Sequence, residues 1–418
     1  MHRRSLEDWL SWQETLHPRA IDLGLDRVRR VAEALGLPWR NCLSVIVGGT
    51  NGKGSSAYLL AQICQAAGLR VGLYTSPHLV RYNERVRIDA GMASDEALCA
   101  AFEAIDAARG EVGLTYFEFG TLAALWLFRE ARVDVQVLEV GLGGRLDATN
   151  IVDADAALLT NVGLDHLDWL GSDREQIGAE KAGIFRSGQP AIFAHPDLPA
   201  SVVAYAQRFG ARLIRRGRDF GVVVHDDGTF DWSGAASHYE RLPAVAGPAQ
   251  IDNAAGVLAL IEALSPRLRI PEAAVRQALA GSRLPGRQEI RGRWILDVAH
   301  NAEAGGMLAR CLAQRSCPGR TVLVLGMLTD KPHVEFMTVL APYVDAVLCV
   351  GLPPPRGLSA EALRRRVMTV VARDTEVLSC ENMRDALSTA SQLAGDQGRV
   401  VVTGSFLTVA AAIGELDG

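Results

Sequence analysis

The chain has 418 residues, of which 49% are apolar and 22% charged, and it carries a formal net charge of −5. That length calls for two or three domains, and the composition is that of a soluble globular protein with ample core. The acidic balance argues against nucleic acid or an anionic membrane surface as the main partner.

The amino terminus, "MHRRSLEDWLSW", has no apolar core of signal-peptide length before its acids begin. The most membrane-like stretch, "TLAALWLF" from Thr121 to Phe128, is far too short to span a bilayer. Seven cysteines, at 42, 64, 99, 311, 317, 349 and 380, include no CxxC pair and read as reduced, mostly core thiols of a cytoplasmic protein. At Ser5, "SLED" is a capping box that opens a helix, and a second short helix, "LDRVRRVAEALG", ends at Gly36. An opening strand and a helix to Gly68 follow. Thereafter "RVGLYTS", "DVQVLEVG", "DAALLTNVG" and "QPAIFA" read as buried strands separated by helical segments. Such alternation predicts an α/β domain whose sheet is mainly parallel, with helices on both faces. "FGVVVHDDGTFDWSG" reads as a hairpin appended to that sheet, with its turn at Asp227-Gly228. The polar stretch "SRLPGRQEIRGR" separates a first domain, residues 1–285, from a second, residues 286–418. There "RWILDVAH", "TVLVLGM", "DAVLCVG", "TEVLSC" and "RVVVTGS" predict a smaller Rossmann-like α/β domain.

The stretch "VIVGGTNGKGSS", Val45 to Ser56, is an apolar strand that breaks into glycines around Lys53. A strand–loop–helix turn of this kind aims backbone N–H groups and the positive end of the helix dipole at an anion. Lys53 adds a point charge, and the Ser55 hydroxyl can reach a phosphate oxygen or a magnesium ion. The usual GxxxxGK[ST] pattern is not met, because Val47 stands five residues before Gly52 and Gly54 intervenes before Ser55. A plain glycine-rich turn is the alternative. Glu139 ends a buried strand, where a carboxylate needs a partner and a metal is a reasonable one. Taken singly, His166 reads as a turn or surface histidine, Lys181 as a solvated helix lysine paired with Glu180 or Asp173, and Phe117 as helix-face core.

"GTNGKGS" resembles the phosphate loop of the Mur ligase superfamily. "TSPHL", "ERVRI", "EVGLGGRLDATN", "DHLDWLG", "EKAGIF", "LPGR" and "DVAHN" follow in the order seen in folylpolyglutamate synthases. With "IDLGLDRV" near the start, the chain is similar to the bifunctional dihydrofolate synthase/folylpolyglutamate synthase family from about residue 10 to "GSFLTVA" at 404–410.

The resemblance implies a set of roles. ATP would be held by Gly49, Thr50, Asn51, Gly52, Lys53, Gly54 and Ser55, with Asn253, Arg287, Asp297 and His300. Ser76, Glu139 and His166 would bind magnesium, and a carbamylated Lys181 would support a second ion. Lys53, Lys181 and His166 would be the catalytic residues. The pterin acid would meet Asp22, Leu23, Gly24 and Leu25, then Thr115, Tyr116, Phe117 and Glu118, and finally Leu146, Asp147 and Ala148. Many relatives have proline where this chain has Ala302, which leaves the turn after "DVAHN" open. The role of "ERVRI" is also left open. The implied activity is ATP-dependent addition of L-glutamate to dihydropteroate and to tetrahydrofolate or folylpolyglutamates, by a cytoplasmic monomer. An acyl phosphate would be the intermediate, and two domains could close to keep it from water. A monofunctional folylpolyglutamate synthase, another Mur-type amino-acid ligase and a P-loop nucleotide switch are the alternatives. About forty residues precede the phosphate loop, too few for the UDP-sugar-binding domain of the peptidoglycan-precursor ligases.

Overall fold

The structure is a computed structural model that describes residues 4–19, 21–37, 42–243, 245, 248–265, 267–282 and 284–417. Arg283, in the polar stretch expected between the domains, lies outside them. The chain divides into two compact units, residues 1–245 with 250–282, and residues 246–249 with 283–418.

The first unit is built on β1 (Leu43–Gly48), β2 (Val71–Tyr74), β3 (Val86–Ile88), β4 (Gly91–Met92), β5 (Val135–Glu139), β6 (Ala156–Leu159), β7 (Pro190–Phe193) and β8 (Arg212–Arg215). Their order across the sheet is β4-β3-β2-β5-β1-β6-β7-β8. β1 runs parallel to both β5 and β6, with Val47 beside Glu139 and Gly48 beside Leu159. All six β1 residues are buried, as expected of a strand covered on both faces. Side chains alternate between the faces: Ile46 and Leu138 enter one apolar cluster, while Val45, Val47 and Val137 enter the other. "ERVRI" forms a 3-10 turn, Tyr82–Arg85, and then β3, which with β4 makes an antiparallel edge on the sheet.

The expected hairpin is corrected in one respect. β9 (Gly221–Val224), β10 (Phe230–Ser233) and β11 (His238–Leu242) form a separate three-stranded antiparallel sheet, not an extension of the main one. β11, "HYERL", is mostly exposed and carries no clean apolar alternation, so nothing in its sequence announces a strand. Trp232 anchors this sheet on the helix Pro248–Leu264 through Nε1, which donates to the Ala255 carbonyl at 3.2 Å.

The second unit holds β12 (Glu289–Arg291), β13 (Trp294–Leu296), β14 (Thr321–Leu325), β15 (Ala346–Val350), β16 (Glu376–Cys380) and β17 (Arg399–Thr403), in the order β12-β13-β17-β14-β15-β16. Five strands are parallel. β12, inside the stretch read as linker, pairs antiparallel with β13 at the edge, where polar residues are tolerated. The fold is the expected α/β class. Among the described residues no helix is long and apolar enough to cross a membrane, and all seven cysteines are free thiols.

Candidate active site

The glycine loop leaves the carboxyl end of β1 at the middle of the first sheet, where ligands of open α/β sheets gather. Gly49 and Gly52 have φ of 143° and 80°, conformations that glycine adopts without strain. Space is equally strict. A Cβ on Gly49 would run into Thr160 Oγ1, and one on Gly52 into Asn253 Oδ1. Residues just beyond β6 shape the loop: Thr160 Oγ1 donates to the Asn51 carbonyl at 2.6 Å. Asn161 Oδ1 accepts the Thr50 and Asn51 N–H groups at 3.2 and 2.9 Å. The helix Lys53–Ala66 opens with no acidic residue in its first turn, leaving its N-terminal charge for an anion. Ser55 is buried in that turn, and Lys53 Nζ curls back to the Gly49 and Thr50 carbonyls, both at 3.1 Å.

Lys181 reaches the same loop. It sits on the helix Arg174–Ala182 and is 5% exposed, and its Nζ donates to the Gly49 carbonyl at 3.0 Å. The partners imagined for a solvated lysine are engaged elsewhere: Glu180 holds Arg145 at 2.9 Å, and Asp173 caps the helix. Burial first, and the Lys53 charge second, bring the Lys181 pKa down to about 7.

Glu139 is 3% exposed at the end of β5 and accepts the Ser76 N–H at 2.9 Å. It also lies beneath the loop, since a Cβ on Gly54 would come 3.2 Å from its Oε2. His166 stands in the left-handed region at φ 53°, before a short helix, with its N–H on Asp165 Oδ1 at 2.9 Å. Among the described residues no three His, Cys, Asp or Glu side chains converge as a metal cage. The donor set nonetheless suits a hard cation that keeps waters and phosphate oxygens as ligands and takes only one or two from carboxylates.

Phe117 packs on the backbone of Gly141, so closely that a Cβ there would come within 2.6 Å of its ring. Gly141 is two residues beyond Glu139. Asp147 is buried and accepts the N–H groups of Gly141 and Leu142 at 3.0 and 2.9 Å, and the Thr149 N–H and hydroxyl at 3.0 and 2.7 Å. Its carboxylate therefore shapes the 141–149 loop, and burial raises its pKa despite those bonds. Leu146 is half-buried beside it, and Ala148 is buried. Thr115 and Glu118 form a capping box at the start of the helix Tyr116–Ala131. Arg27 joins this helix to the 22–25 segment. It pairs with Asp22 Oδ2 at 2.7 Å and donates to the Asp22 carbonyl at 2.6 Å and to Glu118 Oε1 at 3.0 Å. Leu23 and Gly24 lie in the loop that Asp22 begins, and Leu25 precedes the helix Asp26–Ala34. Sequence reasoning missed Arg27, which in "LDRVRR" looks like any solvated helix charge.

Asn253, on the helix Pro248–Leu264, stands against Gly52, and its Nδ2 donates to Gln250 Oε1 at 3.0 Å. The remaining expected site residues belong to the second unit. Asp297, just past β13, accepts the Gln288 and Ala299 N–H groups at 3.0 and 2.7 Å. Burial outweighs the nearby Arg287 charge and lifts its pKa to about 6. The Arg287 guanidinium lies 4.9 Å from the Phe406 ring centre, and the His300 ring 6.3 Å from it. Asn301 caps the helix Ala302–Ala313, its Oδ1 accepting the Ala304 N–H at 2.9 Å. Alanine at the first helical position thus leaves the turn intact.

A buried strand that opens into a glycine loop, with two lysines on one carbonyl and a carboxylate at the neighbouring strand end, is the geometry of a P-loop α/β protein. Residues 47–259 match the Mur ligase middle domain, and residues 283–406 the Mur ligase glutamate ligase domain. The chain is 45% identical to the dihydrofolate synthase/folylpolyglutamate synthase of Escherichia coli K12, over 99% of this chain and 96% of that protein. It is similar to the solved structure of E. coli FolC in complex with DHPP and ADP, at 44% identity and TM-score 0.94, covering 99% of this chain and 98% of that one. A bifunctional folylpolyglutamate synthase/dihydrofolate synthase with Mn, AMPPNP and L-glutamate bound is 42% identical, with TM-score 0.91 and coverage of 99% and 98%. The chain belongs to the dihydrofolate synthase/folylpolyglutamate synthase family of Mur ligases. It is an ATP-dependent glutamate ligase.

Proposed function

We propose that this ligase adds L-glutamate to dihydropteroate, giving dihydrofolate, and to tetrahydrofolate or its polyglutamates, with release of ADP and phosphate. One observation carries the reading. Glu139, beneath the phosphate loop, is two residues from Gly141, on which Phe117 packs. A flat aromatic acid lying on Phe117 is therefore beside the phosphate loop and its metal carboxylate.

The acid's carboxylate attacks the γ-phosphorus of ATP, the bond to the β-phosphate oxygen breaks, and ADP leaves. Lys53 and the amides of residues 52–55, at the start of the helix, offset charge on the transferring group, and Asn253 braces the loop at Gly52. The neutral amine of glutamate then attacks the acyl carbon, the bond from that carbon to the phosphate oxygen breaks, inorganic phosphate departs with its electron pair, and the amine loses one proton to solvent. Glu139, with Ser76 and His166, would hold magnesium, which neutralises phosphate charge when bound. Lys181 in its neutral form can add carbon dioxide, losing one proton to solvent. The resulting carbamate would support a second ion. Arg287, Asp297 and His300 would bind the rest of the nucleotide: the fork of an arginine suits phosphates, and a strand-end aspartate suits ribose hydroxyls. We read the enzyme as a monomer, and its free thiols suit the reducing cytoplasm.

The test is ADP release measured with dihydropteroate, then tetrahydrofolate, each with and without glutamate, together with transfer of labelled acid oxygen into phosphate. Turnover with both acids and label in the phosphate is expected. Turnover with tetrahydrofolate alone would mark a folylpolyglutamate synthase, and unlabelled phosphate would rule out the acyl phosphate.

A further inference from the structure

The segment "ERVRI" plays no part in the reading above, yet its first two side chains turn back on residues 75–81. The Glu84 carboxylate accepts three successive N–H groups, from Leu79 and Val80 at 2.8 Å and from Arg81 at 2.7 Å. Arg85 grips the same segment from its other end. The Arg85 carbonyl accepts the Thr75 N–H at 2.9 Å, and its Nε donates to His78 Nδ1 at 2.8 Å. A guanidinium has only donors, so the neutral imidazole keeps its proton on Nε2. The Arg85 side chain is buried, and its guanidinium lies 5.4 Å from the ring centres of both Tyr82 and Tyr116. Those two rings meet edge to face at 5.7 Å. Ser76 stands between Thr75, which the Arg85 main chain holds whatever the side chain, and His78, which the guanidinium holds; its N–H lies on Glu139 at 2.9 Å.

We propose that Arg85 is a positioning residue of the ligase reaction, holding the Ser76 segment against Glu139 on one side and Tyr116, in the first turn of the acid-site helix, on the other. Glu84 serves the first of these tasks alone, because its bonds stay within residues 79–81. The proposal rests on the functional reading above and deepens it: the same buried guanidinium sets both the metal side and the acid side of the site. Misplacing reacting groups by an ångström slows an enzyme far more than it destabilises the fold. An arginine that merely held the loop together would instead act on stability alone.

The experiment compares wild type with R85M, R85K and E84Q at saturating glutamate, titrating magnesium, dihydropteroate and ATP in turn. Rates are normalised to folded protein by near-UV circular dichroism, and Tm is recorded alongside. R85M is expected to raise both the apparent metal activation constant and the KM for dihydropteroate by about tenfold, while the ATP KM at saturating metal stays within about twofold. E84Q raises the metal constant only. R85K, which keeps a cation over the two tyrosine rings, recovers part of the acid KM. The proposal is overturned if R85M lowers Tm but leaves both constants, per folded enzyme, at the wild-type values. It also falls if E84Q moves the acid KM as far as R85M does. A wild-type chain that used only tetrahydrofolate would narrow the functional reading instead, and the same comparison with that acid would decide the role of Arg85.

Discussion

Lys181 and Asp297 show how burial tunes single groups for work near neutral pH. The Lys181 amine has a pKa brought down to about 7, so its neutral fraction grows as pH rises through that value, well below the range of an ordinary lysine. Carbamylation consumes the neutral amine. In limiting bicarbonate, activity should therefore climb as pH rises through about 7, and enzyme incubated with carbon-13 bicarbonate should give a carbamate resonance that Lys181→Ala lacks. Full activity in Lys181→Ala, with no such resonance in wild type, would remove the modification from the mechanism. Asp297 moves the opposite way, from 3.8 to about 6. A carboxyl whose pKa is higher folded than unfolded keeps its proton longer in the fold. Stability is then fullest below pH 4 and declines as pH rises to about 6, by about 3 kcal/mol in all. Asp297→Asn cannot titrate, so urea unfolding of this variant should lack that share of the decline between pH 4 and pH 7.

At the scale of elements, the proposed acid site depends on ties between segments far apart in sequence. Arg27 bonds both Asp22 and the 4%-exposed carboxylate of Glu118, across ninety-one residues for the second. Arg27→Met would leave Glu118 buried without its cation, a loss on the order of 1–3 kcal/mol. The KM for dihydropteroate should rise about tenfold while the ATP KM holds, and an equal rise in both would show that the phosphate loop depends on this tie too. The glycine loop was legible because an apolar strand, a run of glycines and a lysine follow one another within a dozen residues. Glu139 was legible for a similar reason, since a carboxylate ending an apolar strand has few structural uses. Arg27, Glu84, Arg85, Thr160 and Asn161 were not legible, because their partners lie on other elements and nothing local sets them apart from surface polar residues. Short edge strands were missed on the same ground. β11 is mostly exposed and β12 partly so, and both are largely polar and paired through backbone, which leaves little trace in side-chain type.

For the whole molecule, the alternation of strand and helix was enough to give the α/β class, and ordered motifs along the chain gave the family. The polar stretch read as the boundary spans residues 282–293, and the two compact units divide at residues 282 and 283, at its start. The apolar cluster of the second unit runs from Ile295 to Val401 and lies wholly within that unit. We therefore propose that residues 283–418 form a domain able to fold alone. A fragment of those residues should show helical and strand circular dichroism and a single cooperative melt, whereas a broad, non-cooperative loss of signal would contradict it.

Asn161 gives the phosphate loop a further property. Its amide oxygen already gathers the Thr50 and Asn51 N–H groups onto one point, much as a bound anion would. Those bonds offset the repulsion of converging dipoles and hold the loop against flattening. For the nucleotide proposed to bind here, much of the ordering cost of capture would be met when the chain folds.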